Sequence, residues 1–281
     1  MALGKRNGER QAEFWVATQD LSSGPRHVFY DTLNQVLAQA GFDPFAEELC
    51  EPFYAQQGRP SIPPGVYFRM LFVGYFEGID SQRGIAWRCE DSLSLRRFLG
   101  IPLGEETPDH SSLTRIRDRL PLVIHEQVFQ RVLSILDQHG LLKGTTTGVD
   151  STMLEANAAM KTIIRKDTGE DWKAYLKRLM QEEGLITKDE HPTDEELRKF
   201  DKSRGKQGKK KVSNDEWASP SDPDSRIVKM KDGRTHLGYK AQHVVDLDSE
   251  AILSARVQHG TDGDAQTLLR SVVDAQRHLI L

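Results

Sequence analysis

Apolar positions fall at helical spacing through the first half of the chain and alternate like strands in the second. From Val28, the residues Phe29, Leu33, Val36, Leu37 and Ala40 recur at a helical period and predict a helix whose C-cap is Gly41. A turn with Pro44 follows, then a short piece through Phe45 and Leu49. Gln57 to Gly65, with Pro60, Pro63 and Pro64, reads as a rigid entry to the strongest helix of the region. Its core face is Val66, Met70, Leu71, Val73, Gly74 and Tyr75, and Gly78 closes it. Ser81 caps the next segment, which carries Ile85, Ala86, Leu93, Leu95, Phe98 and Leu99. Ser or Asp within 107–112 starts a helix with Leu113, Ile116 and Leu120 inside, and a last helix runs from Val123 to Gln138 and stops at Gly140.

The pattern then changes period. Thr145-Thr146-Thr147-Gly148-Val149-Asp150-Ser151-Thr152 predicts a short buried strand that delivers one carboxylate. Trp172, Tyr175, Leu176 and Leu179 mark an amphipathic helix, whereas Glu182 to Asp224 is so charged that it predicts disorder or a solvated arm. Gly238 to Asp246 and Ala251 to Gln258 alternate as two strands joined at Asp248-Ser249-Glu250. Ala265, Leu268, Leu269, Val272, Val273, Leu279 and Ile280 mark the expected core face of a closing helix. The fold class is therefore α+β: a flexible arm over 1–24, a helical bundle over 25–141, and an incomplete α/β core over 142–281 with a charged insertion at about 161–224.

Composition narrows the partners. With Lys+Arg 38 against Asp+Glu 42 the formal charge is -4, so a nucleic-acid partner has to be met by local patches. Cys50 and Cys89 have no second cysteine nearby, which argues against a disulfide framework or zinc ribbon and fits a reducing cytoplasm. Met1 leads into a polar stretch, so neither export nor membrane insertion is expected. Arg83, Arg88, Arg96, Arg97, Arg115, Arg117 and Arg119 project from short helices. They suit phosphate contact, or equally form solvated faces balanced by Glu90, Asp91, Glu105, Glu106 and Asp118. The run ending in Lys209, Lys210 and Lys211 reads both ways too. His110 and His125 lack metal-ligand spacing and read as surface or structural residues.

Three blocks resemble the bacterial insertion-sequence transposases of the DDE class: Gly58-Arg59-Pro60 with the helices through Asp109-His110-Ser111-Ser112-Leu113-Thr114-Arg115, then Gly148 to Thr152, then Asp232 to Asp246. The resemblance implies a helical DNA-binding domain and a ribonuclease-H-like core with Asp150 on its first strand as catalytic residue and metal ligand. It adds Lys240 to the DNA-contacting set. It also implies Mg2+ or Mn2+, two ions roughly 3.5–4 Å apart that serve phosphoryl transfer on double-stranded DNA. The implied DNA partners are terminal inverted repeats and target, with a homo-oligomer or a mixed oligomer with full-length transposase. The family's second Asp and its Glu would follow the last helix, so the expectation is a truncated, catalytically incomplete copy. Asp246 at a hairpin and Asp262 and Asp264 at a helix start are explained by local roles. The alternative is a non-catalytic DNA-binding regulator of transposition, and an unrelated metal-dependent nuclease finds no full carboxylate set here.

Overall fold

The computed structural model describes residues 27–55, 57–58, 61–208 and 212–279. The expected arm over 1–24, together with Lys209, Lys210, Lys211 and Ile280, lies outside the described residues. The fold is α+β, in two units that divide between Phe129 and Gln130. The division falls inside a helix, where the sequence pattern placed it near residue 141.

The first unit holds α1 (Val28–Gln39), α2 (Phe42–Cys50), α3 (Pro64–Glu77), α4 (Gln82–Asp91), α5 (Leu93–Leu99), α6 (His110–Arg119) and the start of α7 (Leu122–Gln138). Side-chain caps set three of these starts: Ser81 accepts from the Gly84 amide, Ser92 from Leu95 and Asp109 from Ser112. Ser92 splits into two helices a segment that its apolar pattern runs together. Pro44 sits in the first turn of α2, where no amide is required of it, so the expected turn is helical. Gly41, with φ +62, opens α2 and is not the C-cap of α1, a position Ala40 takes. Phe42, Tyr67, Met70, Leu95, Leu113 and Ile116 form the fully buried centre. Phe29 and Tyr75, expected inside, are exposed; Tyr30 is buried instead, its hydroxyl donating to Glu77 at 3.0 Å. Arg69 is also buried, paired with Asp43 and donating to Asn34 Oδ1 at 3.0 Å. Its partners satisfy a charge that would otherwise be costly to enclose.

The second unit is built on an antiparallel sheet. β1 (Thr147–Glu155) pairs with one edge of β5 (Thr235–Asp246) from Thr147 opposite Asp246 to Glu155 opposite Gly238. The other edge of β5 is shared by β4 (Arg226–Lys229) and β6 (Ile252–His259), with a register shift at Val244/Val245. Facing residues lie on one side of a sheet, so Ser151, Gln242 and Arg256 share one face and Asp150, His243 and Ala255 the other. β1 is an edge strand of exposed and half-buried residues, not the buried strand its β-branched run predicts, because β5 is its one partner among the described residues.

The charged segment after β1 is also more structured than its composition predicts. β2 (Ile164–Arg165) pairs with β3 (Trp217–Ala218), and α8 (Trp172–Glu182) packs on α9 (Asp194–Lys206) through Leu176, Met180, Leu197 and Phe200. Two apolar residues at i, i+3 and a capping box between Thr193 and Glu196 suffice for α9. Trp217 joins Ala156, Ile163, Ile227 and Leu237 in a second apolar cluster.

α10 (Asp264–Leu279) overturns the expected inner face. Thr267, Ser271 and Ala275 are buried, while Leu268, Leu269, Val272 and Val273 are exposed, Leu269 at 72%. The sheet face beneath it is polar: Gln242 and Ser254 are fully buried, and Ser271 Oγ donates to Gln242 Oε1 at 2.6 Å. A leucine face there would strand those polar groups without partners, which costs more than exposing leucine to water. No helix among the described residues is long and apolar enough to cross a membrane.

Gly238 is squeezed where β1, β4 and β5 meet, and a Cβ added there would lie 2.7 Å from the Leu154 carbonyl oxygen. Gly238→Ala is therefore expected to cost about 1–3 kcal/mol of stability, the usual range for forced overpacking. Urea unfolding checks this, and an unchanged midpoint would contradict the register.

Candidate functional site

Seven of the helical unit's arginines are candidates for phosphate contact, and the structure sorts them. Arg83 on α4, Arg97 on α5, and Arg115, Arg117 and Arg119 on α6 are exposed. Arg115 reaches Ser111 Oγ at 3.1 Å, Arg117 lies 3.7 Å from Asp118, and Arg119 stacks on the Tyr54 ring at 4.7 Å. Such loose surface partners leave the guanidinium available to a phosphate. Arg88 is instead half-buried and paired with Glu77 at 2.6 Å. Arg96 is 9% exposed, and its Nη2 gathers the carbonyls of Pro102, at 2.9 Å, and Glu105, so it holds the loop before α6. These two of the seven therefore do internal work, a role that spacing along a helix does not reveal.

Trp87 was not singled out by sequence pattern, yet it is 64% exposed one helical turn after Arg83. Both line a cleft with His110 and the carboxylates Glu90, Glu105 and Glu106, so the cleft is of mixed charge. The i, i+4 spacing of Arg83 and Trp87 was the available signal. His125 is structural: its Nε2 lies 3.1 Å from the Tyr67 hydroxyl.

In the sheet unit, Asp150 sits mid-strand on β1, opposite His243, on the face away from α10. It is exposed, and its Oδ1 accepts from the Ser151 amide at 2.8 Å. The next residue points the other way: Ser151 Oγ donates to Asp264 Oδ1 at 3.1 Å and is approached by Gln242 Nε2 at 3.4 Å. Lys240, assigned to DNA by resemblance, is 8% exposed. Its ammonium donates to Asp264 Oδ1 at 3.0 Å and to the Asp262 carbonyl, so it ties the start of α10 to the sheet. The cause is register: Lys240 falls on the face that α10 covers.

The other aspartates near the strand ends have local partners. Asp264 is engaged by Lys240 and Ser151, which hold its carboxyl below the usual range. Asp246 is fully buried, and its Oδ2 accepts from the Lys143 amide at 2.9 Å, the Gly144 amide at 3.3 Å and Ser249 Oγ at 2.9 Å. Those donors, the Lys143 amide foremost, pull its carboxyl down to about 2. Among the described residues no group of three His, Cys, Asp or Glu side chains is arranged to hold a metal ion. The residues beside Asp150 thus do not fit a two-ion centre, whose charge needs several carboxylates at once.

Asp246 joins the segment before β1 to the β5–β6 turn, so its ionisation is linked to stability. A depressed folded value contributes stability that is present above the ordinary value of 3.8 and is lost as pH falls toward about 2. Asp246→Asn is expected to lower Tm by on the order of 5 °C near neutrality and to flatten the acid side of the stability profile. Thermal unfolding from pH 2 to 7 checks this, and a profile matching the wild type would contradict the buried role.

A family model described as Transposase domain (DUF772) matches residues 18–119, which include α1 to α6. No curated protein matches the chain, and no solved structure does. The helical unit is thus the part of the chain that is similar to a transposase domain.

Proposed function

We propose that the chain is the transposase of an insertion sequence, in which the helical unit binds the element's DNA ends. The observation that carries this is the coincidence of the transposase-domain match with the unit that exposes Arg83, Arg97, Arg115, Arg117 and Arg119. Guanidinium groups on short capped helices neutralise phosphates and fix register on a duplex. The finer reading is a DDE-class, ribonuclease-H-like sheet unit. Its support is an antiparallel sheet whose first strand bears Asp150, with a helix on the opposite face. In that class, Mg2+ or Mn2+ activates a water or 3′-hydroxyl for in-line attack on phosphorus. The described residues do not fit the ion pair, so no metal-dependent step is assigned to this chain.

A second reading has support of its own. Asp150 is not joined by the further ligands a two-ion site requires among the described residues. That favours a DNA-binding regulator that occupies element ends or mixes with full-length subunits.

Duplex binding by the intact chain is expected to weaken steeply with salt, with a slope of about 0.9 per phosphate neutralised. Joint replacement of Arg83, Arg97, Arg115 and Arg117 by Ala should flatten that slope by roughly 2 to 4, whereas Asp150→Ala should leave affinity within about twofold, well under one hydrogen bond's worth. Fluorescence anisotropy across a salt series measures both, and an unchanged slope in the fourfold variant would refute the helical interface. With Mg2+ or Mn2+ the chain by itself is expected not to nick an inverted-repeat duplex. Robust nicking that survives Asp150→Ala would remove the carboxylate from the account.

A further inference from the structure

His236, the second residue of β5, stands between two carboxylates. Its Nδ1 lies 2.7 Å from Oε1 of Glu155, the last residue of β1, and its Nε2 lies 3.2 Å from Oδ2 of Asp232, in the turn between β4 and β5. A neutral imidazole has one N–H and one lone pair, so it can donate to only one of them. The other nitrogen would then present its lone pair to a carboxylate oxygen. Both contacts become hydrogen bonds in the imidazolium form, and the pair of distances selects that form.

The surroundings supply little to offset the two negative charges. β1 contributes Glu155, and the turn contributes Asp232, whose Oδ1 accepts from the Arg234 amide at 2.8 Å. Arg234 is the cation that acts on Asp232 alongside the imidazole, and β4 places the apolar Val228 opposite His236. Glu155 first, and then Asp232, hold the imidazole above its ordinary range.

The place of this trio gives it a consequence. Glu155 ends the strand that bears Asp150, and after it the chain leaves the sheet for β2, α8, α9 and β3. Just past the ring contacts, the exit itself is held to β5 by the Ala156 amide donating to the Leu237 carbonyl at 2.8 Å and by the burial of Ala156 and Ile163 with Leu237 in one apolar cluster, so the turn is the side free to respond. We propose that His236 is a proton-operated clamp, which as an imidazolium fastens the end of the Asp150 strand to the β4–β5 turn and on losing its proton lets the turn loosen. The sign follows from the raised value: the clamp is fully closed below 6.5 and is lost as pH rises through the higher folded value. The proposal rests on the sheet and is independent of the DNA-binding reading.

The test is an NMR titration of the His236 ring in the intact chain, paired with amide exchange across the turn, corrected for the intrinsic effect of pH. A midpoint above 6.5 is expected, returning toward that value in Glu155→Gln and moving less in Asp232→Asn. Exchange at 231–236 should quicken as pH passes the same midpoint, while the amides shared by β1 and β5 stay protected. In His236→Gln the turn should exchange fast at every pH. A midpoint at or below 6.5, a midpoint untouched by Glu155→Gln, or turn exchange with no step would each overturn the clamp. Because the wild-type titration needs no substitution, a variant that folds poorly does not shield the proposal.

Discussion

Pairing along both edges of β5 is the constraint on which the sheet unit depends. One edge holds β1 over its whole length, and the other is divided between β4 and β6. β1 and β5 are far apart in sequence, and the intervening chain makes its own small structures before it returns. Loop closure grows only logarithmically with length, roughly 0.6 kcal/mol per doubling, so such an excursion costs little once the sheet has formed. The close approach falls on glycine: at Gly238 a side chain would meet the Leu154 carbonyl oxygen, and at Gly260 it would meet Val228 and the Gly238 backbone. Register in turn decides which side chains meet α10 and which face away. Lys240 is enclosed, Ser151 is half-buried against Asp264, and Asp150 is left open on the far face.

The two units handle polar groups in different ways. In the helical unit an apolar centre dominates; the buried cation Arg69 is paired with Asp43, and Arg96 meets loop carbonyls through its Nη2 while its buried Nε has no partner among the described residues. In the sheet unit, Gln242, Ser254, Ser271 and Lys240 are themselves the layer between sheet and helix, linked through hydrogen bonds to Gln258, Ser151, Asp264 and, from Ser254, Asp274. Networks of this kind specify one arrangement more sharply than they stabilise it, because each unmade bond is costly. They also explain why α10 turns its leucines and valines outward.

Much of the architecture was legible in residue pattern. The helix starts at Ser81 and Asp109, the strand pair around Asp248 to Glu250, and the placement of Asp150 on the first strand all follow from local rules of capping, alternation and turn chemistry. What was not legible depends on partners distant in sequence. The apolar stripe of α10 reads as a core face until the sheet beneath it proves polar. Leu197 and Phe200 look isolated in a charged run until α8 supplies Leu176 and Met180. Arg88, Arg96 and Lys240 carry charges that look free in sequence, and only the fold shows Glu77, the loop carbonyls and Asp264 beside them.

We propose a division of labour in which the helical unit holds DNA while Asp150 is carried separately on the sheet. Amide hydrogen exchange of the intact chain, with and without short duplexes tiled across the DNA flanking its gene, tests it most directly. New protection over residues 82–119 on a specific duplex, with β4 and β6 unchanged, is the predicted outcome. Protection confined to 147–279, or equal protection by every duplex, would contradict it.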